Sequence, residues 1–339
     1  MAEASSPETP RPAVDARWLG TMLMTAAVFF MAGNAASSAA PTPASAAAAA
    51  AAAVVGGASK GPLRSSPADT SAGGSSRGSQ QWAPPPWHDP PGRLALSAPR
   101  CAELPDAWPS VDEALADSHT DKGPSRLNLP ADMIHEYGPA YARHIGPLRD
   151  RELRVLEIGI GCTPWMPVEG GSLAFWRSYV PCAHLTWVDF DGGCVERIGS
   201  RADAAFQADQ SVPADLLRVY SQGGPFDVIV DDGGHTMKQQ IMTLRTLFPK
   251  LPPAGIFVLE DLLTSFFPPS MGGHDMVPQA NTTGARFVSD VISHMHMKSN
   301  KPFFVRPETL EGSAEIARLA LAVDCYREIC VLVRNGLPA

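Results

Sequence analysis

The sequence lacks several signatures that would have named a function early. Its six cysteines (Cys101, Cys162, Cys182, Cys194, Cys325 and Cys330) contain no C-x-x-C pair, so the spacing of a structural zinc site is missing. Basic charge is not in excess: the net charge is −8, which argues against a nucleic-acid partner, since that grip needs a basic face. Residues 18–59 carry no charge at all. From residue 37 to about residue 99 bulky apolar side chains are scarce, and residues 46–53 are eight alanines in a row. Such a stretch buries too little surface to offset its ordering entropy and is expected to be a disordered tether.

The uncharged run begins with WLGTMLMTAAVFFMAG at residues 18–33. It is short for a bilayer span, but flanking Ala and Ser residues extend it. The preceding flank is mixed in charge (Glu3, Glu8, Arg11, Asp15, Arg17), which favours an uncleaved anchor over a signal peptide cut near Ser37 or Ala39. The expected layout is an N-terminal flank with signal anchor or signal peptide over 1–36, the tether over 37–104, and a globular domain over 105–339. The implied location is the secretory pathway or Golgi membrane, with a single-pass anchor; a plastid is the alternative. Cysteine spacing pairs none of the thiols, and buried free thiols are expected.

What is present is an alternation of short apolar runs and amphipathic segments in a 339-residue chain that is 45% hydrophobic. LRVLEIGIG, HLTWVDFD, AAFQAD, FDVIVDD and GIFVLEDL read as strands. SLAFWRSYVP, CVERIGSR, SVPADLLRVYS and TMKQQIMTLRTLFPKL read as the helices between them, with Ser172 placed to cap the first. LALAVDCY and ICVLVRN read as two strands with two residues between. Alternation of this kind predicts an α/β fold: a mostly parallel, Rossmann-like seven-stranded sheet with an antiparallel C-terminal hairpin and helices on both faces. Ligands of such sheets sit beyond the carboxyl ends of the strands.

The strand ends therefore carry the functional reading. The first ends EIGIGC, with Glu157, Gly159 and Gly161; the glycines permit a sharp turn and close backbone approach. A dinucleotide fingerprint needs a third glycine where Pro164 stands, which disfavours a nicotinamide-dependent oxidoreductase. Asp189 ends the second strand, where a carboxylate can accept from a ribose diol; Asp189 or Asp191 could otherwise cap the next helix. Asp209 and Gln210 end the third, placed to meet a nucleobase edge. Asp231 and Asp232 end the fourth, followed by Gly233, Gly234 and His235. Glu260 and Asp261 end the fifth. Asp231 is grouped with the cofactor-binding set, although it could simply cap a helix. If the fourth and fifth strands are neighbours, their carboxylates converge and can hold a hard divalent cation.

EIGIG, the acid after the second strand and ADQS resemble the class I S-adenosylmethionine-dependent methyltransferase pattern. TDKG (residues 120–123), HEYGPAYARHIGPLRD, SLAFWRSYVP, DDGGH, LFPKLPPAGIFVLEDLLTSFFP and MGGH narrow the resemblance. They are similar to the metal-dependent sugar O-methyltransferases of macrolide and tetracenomycin biosynthesis, a group that includes the cephamycin-pathway methyltransferase of the cephalosporin hydroxylase family. The resemblance spans roughly residues 118–335. It implies a methyltransferase domain using S-adenosylmethionine and Mg2+, with Asp232, Glu260 and Asp261 as metal ligands and His235 as general base. The acceptor would be a hydroxyl of a sugar or small-molecule natural product. It also suggests that Lys122 and the segment holding His135, Tyr137 and Tyr141 fold over the cofactor, though aromatics at that spacing usually pack in a core. His294 and His296, two apart, point away from each other on a helix and make a weak metal pair. Trp165 is expected to pack, while Phe266 and Phe267 could line an acceptor pocket. A non-catalytic anchored binding protein is the alternative from another class, disfavoured by the complete Asp232, Glu260, Asp261 and His235 set. A homo-oligomer stays open.

Overall fold

Strands whose apolar residues run without alternation need cover on both faces, and the fold provides it. The computed structural model describes residues 100–124, 131–163, 166, 168–268, 282–297 and 309–339. The expected anchor, most of the tether, Pro164 and Trp165 lie outside the described residues. The strands are β1 (Arg154–Ile158), β2 (His184–Asp189), β3 (Ala204–Gln207), β4 (Val228–Asp231), β5 (Ile256–Leu259), β6 (Ala320–Cys325) and β7 (Cys330–Arg334). They lie in the order β3-β2-β1-β4-β5-β7-β6. β1 to β5 pair in parallel; β7 runs antiparallel to both β5 and β6. The expected sheet is therefore the observed one.

Period-2 geometry sends neighbouring side chains of each strand to opposite faces. On one face, Val155, Val228, Val230 and Val258 meet Leu115, Tyr141, Phe175 and Trp176. These come from α1 (Val111–Ala116), α2 (Gly138–His144) and α3 (Ser172–Tyr179). A smaller cluster of Trp187, Cys194 and Ile198 packs α4 (Gly192–Ile198) beside β2. On the other face, Leu156, Ile229, Phe257 and Leu332 meet Val219, Leu244, Val291 and Leu319. Their carriers are α5 (Pro213–Gly223), α6 (Met237–Leu247), α7 (Gly284–His296) and α8 (Ser313–Leu319).

Three local features differ from expectation. Ser172 does not cap α3: Gly171 holds that position, and the Ser172 hydroxyl donates to Glu157 Oε2 at 2.7 Å. A carboxylate as buried as Glu157 needs donors, and the Ser172 hydroxyl supplies one. The turn between β6 and β7 has four residues (326–329), not two. The cysteines are not free thiols. Cys101 bonds Cys182, Cys162 bonds Cys194 and Cys325 bonds Cys330, because the fold brings together positions that linear spacing keeps apart.

Gly159 follows β1 with φ +94°, a conformation that L side chains rarely adopt. A Cβ there would lie 1.9 Å from the carbonyl oxygen of Asp232. Gly159→Ala should therefore lower unfolding free energy by about 3 kcal/mol or more in urea titrations. A variant within experimental error of the parent would show that this close approach is not required.

Candidate active site

β1, β4 and β5 end level. Ile158 pairs with Asp231, and Asp231 with Leu259, so residues 159, 232 and 260 emerge side by side. Parallel register alone thus brings the glycine turn and both acidic pairs to one edge of the sheet.

The glycine turn forms one half of the site. Gly161 also has positive φ, +73°, but a Cβ on it would meet nothing within 4 Å. The turn is therefore tight against the protein at Gly159 and open at Gly161, the shape of a cradle for a ligand. Asp189 Oδ2 accepts from the Ile160 N–H at 2.9 Å, and its Oδ1 accepts from Asp191 N–H at 2.8 Å. Asp191 caps α4 through the Gly193 N–H. The Cys162–Cys194 bridge ties the glycine turn to α4. Beyond β2 and β3 lies a cleft of about 280 Å³ lined by Phe190, Gln207, Ala208, Asp209, Asp215 and Arg218.

The acid cluster forms the other half. Lys122, 1% exposed, places its ammonium 2.5 Å from Asp232 Oδ2, 2.5 Å from Glu260 Oε2 and 3.4 Å from Glu157 Oε1. The Tyr141 hydroxyl donates to Glu260 Oε1. Burial pushes the Glu260 carboxyl up, and nearby Asp232 adds to it, against the pull of Lys122. Asp232 is pushed up too, first by burial and further by Asp261 and Asp121, while Lys122 and His235 oppose. His235 has φ +54° and turns its ring back toward the acids. Its Nε2 lies 3.5 Å from Asp261 Oδ2 and 3.8 Å from Asp232 Oδ1, and its Nδ1 is buried without a hydrogen-bond partner.

Asp232, His235 and Asp261 each offer a ligand atom, all within 4.8 Å of one another. The two carboxylates suit a hard divalent cation, and the imidazole nitrogen beside them can either join the cation or accept a proton. The third expected ligand, Glu260, stands on the same strand end, but its oxygens face Lys122 and Tyr141.

The expected cofactor residues divide into two groups. Gly159, Gly161, Asp189 and Asp209 line the strand-end edge. Glu157, Gln210 and Asp231 are interior struts. Glu157 Oε2 accepts from Ser172 and Trp187. Gln210 donates to Asp231 Oδ1 at 2.8 Å and accepts from the Gly234 N–H at 2.8 Å, rather than facing the cleft. Burial raises the Asp231 carboxyl to about 6, against hydrogen bonds from Gln210 and other neighbours. Sequence reasoning missed Lys122 as the counter-ion of the acids, and the pairing of His135 with Asp261 at 3.3 Å and Glu328 at 2.9 Å. No local spacing signals either: Asp232 and Glu260 are 110 and 138 residues from Lys122, and Glu328 is 193 residues from His135. His294 bonds Thr309 at 2.8 Å. Phe266, the last residue of the short helical turn Leu262–Phe266 that follows Asp261, is exposed.

The sheet order and its strand-end site define the class I methyltransferase fold. Within that class, the chain is similar to sugar O-methyltransferases of natural-product biosynthesis. The 8-demethyl-8-alpha-L-rhamnosyl tetracenomycin-C 2'-O-methyltransferase of Streptomyces olivaceus is 33% identical over 198 residues, 57% of this chain and 51% of that protein. The L-olivosyl-oleandolide 3-O-methyltransferase of Streptomyces antibioticus is 32% identical over 195 residues, 57% of this chain and 48% of that protein. The solved MycE methyltransferase of the mycinamycin pathway, in complex with Mg and SAH, superimposes with a TM-score of 0.55 at 25% identity. That match covers 68% of this chain and 54% of the other. No protein-family model matches the chain. The chain spans about half the length of the curated relatives it matches.

Removing the Lys122 ammonium would leave buried carboxylates uncompensated. Lys122→Met should cost about 3–5 kcal/mol of stability at pH 8. The loss should be smaller at pH 5. Carboxyls whose folded pKa lies above the unfolded value take up protons as pH falls, and the unpaired charge disappears. Urea melts at both pH values check this; equal losses would contradict it.

Proposed function

We propose that the chain is an S-adenosylmethionine-dependent, Mg2+-assisted O-methyltransferase acting on a hydroxyl of a sugar or small-molecule natural product. The observation that carries this reading is a shared wall. The glycine turn packs its Gly159 backbone on the Asp232 carbonyl, so the open cradle at Gly161 adjoins the Asp232, His235 and Asp261 cluster. The similarity to sugar O-methyltransferases supports the same chemistry.

Asp232 and Asp261 would hold Mg2+, while Glu260, bonded to Lys122 and Tyr141, anchors the strand end beside them; when bound, the cation's positive charge makes a neighbouring acceptor hydroxyl easier to deprotonate. His235 turns its Nε2 to the gap between Asp232 and Asp261 and takes the acceptor's hydroxyl proton. The acceptor oxygen then attacks the methyl carbon of S-adenosylmethionine. A carbon–oxygen bond forms as the carbon–sulfur bond breaks, and the sulfonium leaves as the neutral thioether S-adenosylhomocysteine. The protein's main contribution is alignment of the two reactants. Phe266, exposed and five residues after Asp261, is a candidate apolar surface for the acceptor.

Calorimetric titration of the chain with S-adenosylhomocysteine, with and without Mg2+, tests the division of roles. Asp232→Ala should abolish the Mg2+ response while keeping cofactor affinity within about threefold of the parent. His235→Gln should bind both and lower the rate of methyl transfer to sugar acceptors by about 10²- to 10⁴-fold. If Asp232→Ala loses cofactor and metal together, the reading fails.

We place the chain in the secretory pathway or Golgi, anchored through residues 18–33. Three disulfides support an oxidising compartment. No helix among the described residues is long and apolar enough to cross a membrane; the proposed span rests on the uncharged apolar run at residues 18–33 alone. Alkaline carbonate extraction of expressing cells should leave the chain with the membranes; release into the supernatant would refute the anchor.

A further inference from the structure

The turn between β6 and β7 lies far along the chain from the acid cluster, yet it is bonded to it. The Cys325–Cys330 bridge closes the turn at its base, and the Tyr326 N–H donates to the Ile329 carbonyl at 2.8 Å. Glu328 sits at its tip with φ +67°. For a residue with a Cβ this conformation is unfavourable and persists only where surrounding contacts impose it. One such contact is the Leu262 N–H, which donates to the Glu328 carbonyl at 2.9 Å. Leu262 follows Asp261, which also has a positive φ, +53°. A main-chain hydrogen bond thus links one left-handed, non-glycine residue to the neighbour of another.

Their side chains are joined as well. His135 lies between them: Nδ1 is 2.9 Å from Glu328 Oε2, and Nε2 is 3.3 Å from Asp261 Oδ1. The ring is stacked on Tyr137, with centroids 4.8 Å apart and planes 15° from parallel. The Tyr137 hydroxyl accepts from the Asp261 N–H at 3.1 Å. One oxygen of Asp261 therefore faces His135, and the other faces His235 at 3.5 Å. An oriented carboxylate is what a cation site requires, and partners behind the ligands commonly alter metal affinity by about 10- to 100-fold.

We infer that Glu328, acting through His135, is a positioning residue that orients Asp261 for the divalent cation. This rests on the metal reading proposed above. The hairpin turn serves as a brace: its disulfide holds Glu328 in place, Glu328 fixes the His135 ring, and the ring fixes the Asp261 carboxylate.

Mn2+ supplies a probe that needs no turnover. In full-length protein, free Mn2+ read by electron paramagnetic resonance gives the binding isotherm, and S-adenosylhomocysteine calorimetry runs in parallel. Glu328→Ala should weaken Mn2+ binding about tenfold and leave S-adenosylhomocysteine affinity within about twofold. Glu328→Gln keeps an oxygen for His135 and should recover most of the lost affinity. The double variant H135A/E328A should bind Mn2+ no more weakly than H135A alone, because one residue works through the other. Parent-like Mn2+ binding by Glu328→Ala overturns the inference and leaves the metal reading intact. So do additive losses in the double variant, or equal losses of Mn2+ and S-adenosylhomocysteine. A parent chain that takes up no Mn2+ overturns both.

Discussion

The buried ammonium of Lys122 lies among three carboxylates, those of the buried Glu157 and Glu260 and of the partly exposed Asp232. Burying an acid without a counter-charge is expensive, and three acids ending neighbouring parallel strands would repel one another. Lys122 answers that problem in the protein itself. It arrives on the segment leading into α2; there the Tyr141 hydroxyl donates to Glu260, and the Tyr137 hydroxyl accepts from the Asp261 main-chain N–H. The pre-sheet segment is thus both one wall of the hydrophobic core and the electrostatic complement of the site. Tyr141 serves both purposes at once, with its ring among Phe175 and Trp176 and its hydroxyl on Glu260.

The acid pair that looks wasteful in sequence has two distinct members. Asp231 is the last residue of β4 and belongs to the interior, where it joins Gln210 and ties the ends of β3 and β4 to α6. Asp232 is one residue further and therefore points to the opposite side, toward Lys122, His235 and Asp261. One step along a strand separates a structural carboxyl from a chemical one. The two glycines after them have separate reasons: a Cβ on Gly233 would strike Gln210, and one on Gly234 would strike Gln239. Gln239 is the helix residue that completes the capping box with Thr236. The GG pair therefore lets the chain turn sharply between an interior amide and a helix start, delivering His235 on the acid side.

Bracing of the site comes from parts of the chain remote in sequence. Cys162–Cys194 holds the glycine turn to α4, and Cys325–Cys330 closes the turn that reaches His135. Cys101–Cys182 fastens the segment before α1 to the loop after α3. Each bridge closes a loop and so limits the unfolded chain, which favours the folded state by about 2–4 kcal/mol.

Sheet, helices and the placing of the glycine turn with both acidic pairs at one edge were legible in the sequence. Their physical basis is local: buried parallel strands must be apolar runs, the helices between them must be amphipathic, and ligands meet such sheets at the carboxyl ends. Gly159, Asp189, Asp232 and Asp261 follow from that logic without coordinates. The sequence did not reveal which oxygen faces what. Glu157, Gln210 and Asp231 were equally well placed at strand ends, yet the fold turns them inward, because their partners Ser172, Trp187, Gly234 and Thr243 arrive on other elements. Lys122, His135 and Glu328 acquire partners only when segments more than a hundred residues apart close on one another, and two of the cysteine bridges join positions 81 and 32 residues apart. Periodicity is written in neighbouring residues and can be read from them. Contacts across the fold depend on register, side-chain direction and packing, which the tertiary structure alone decides.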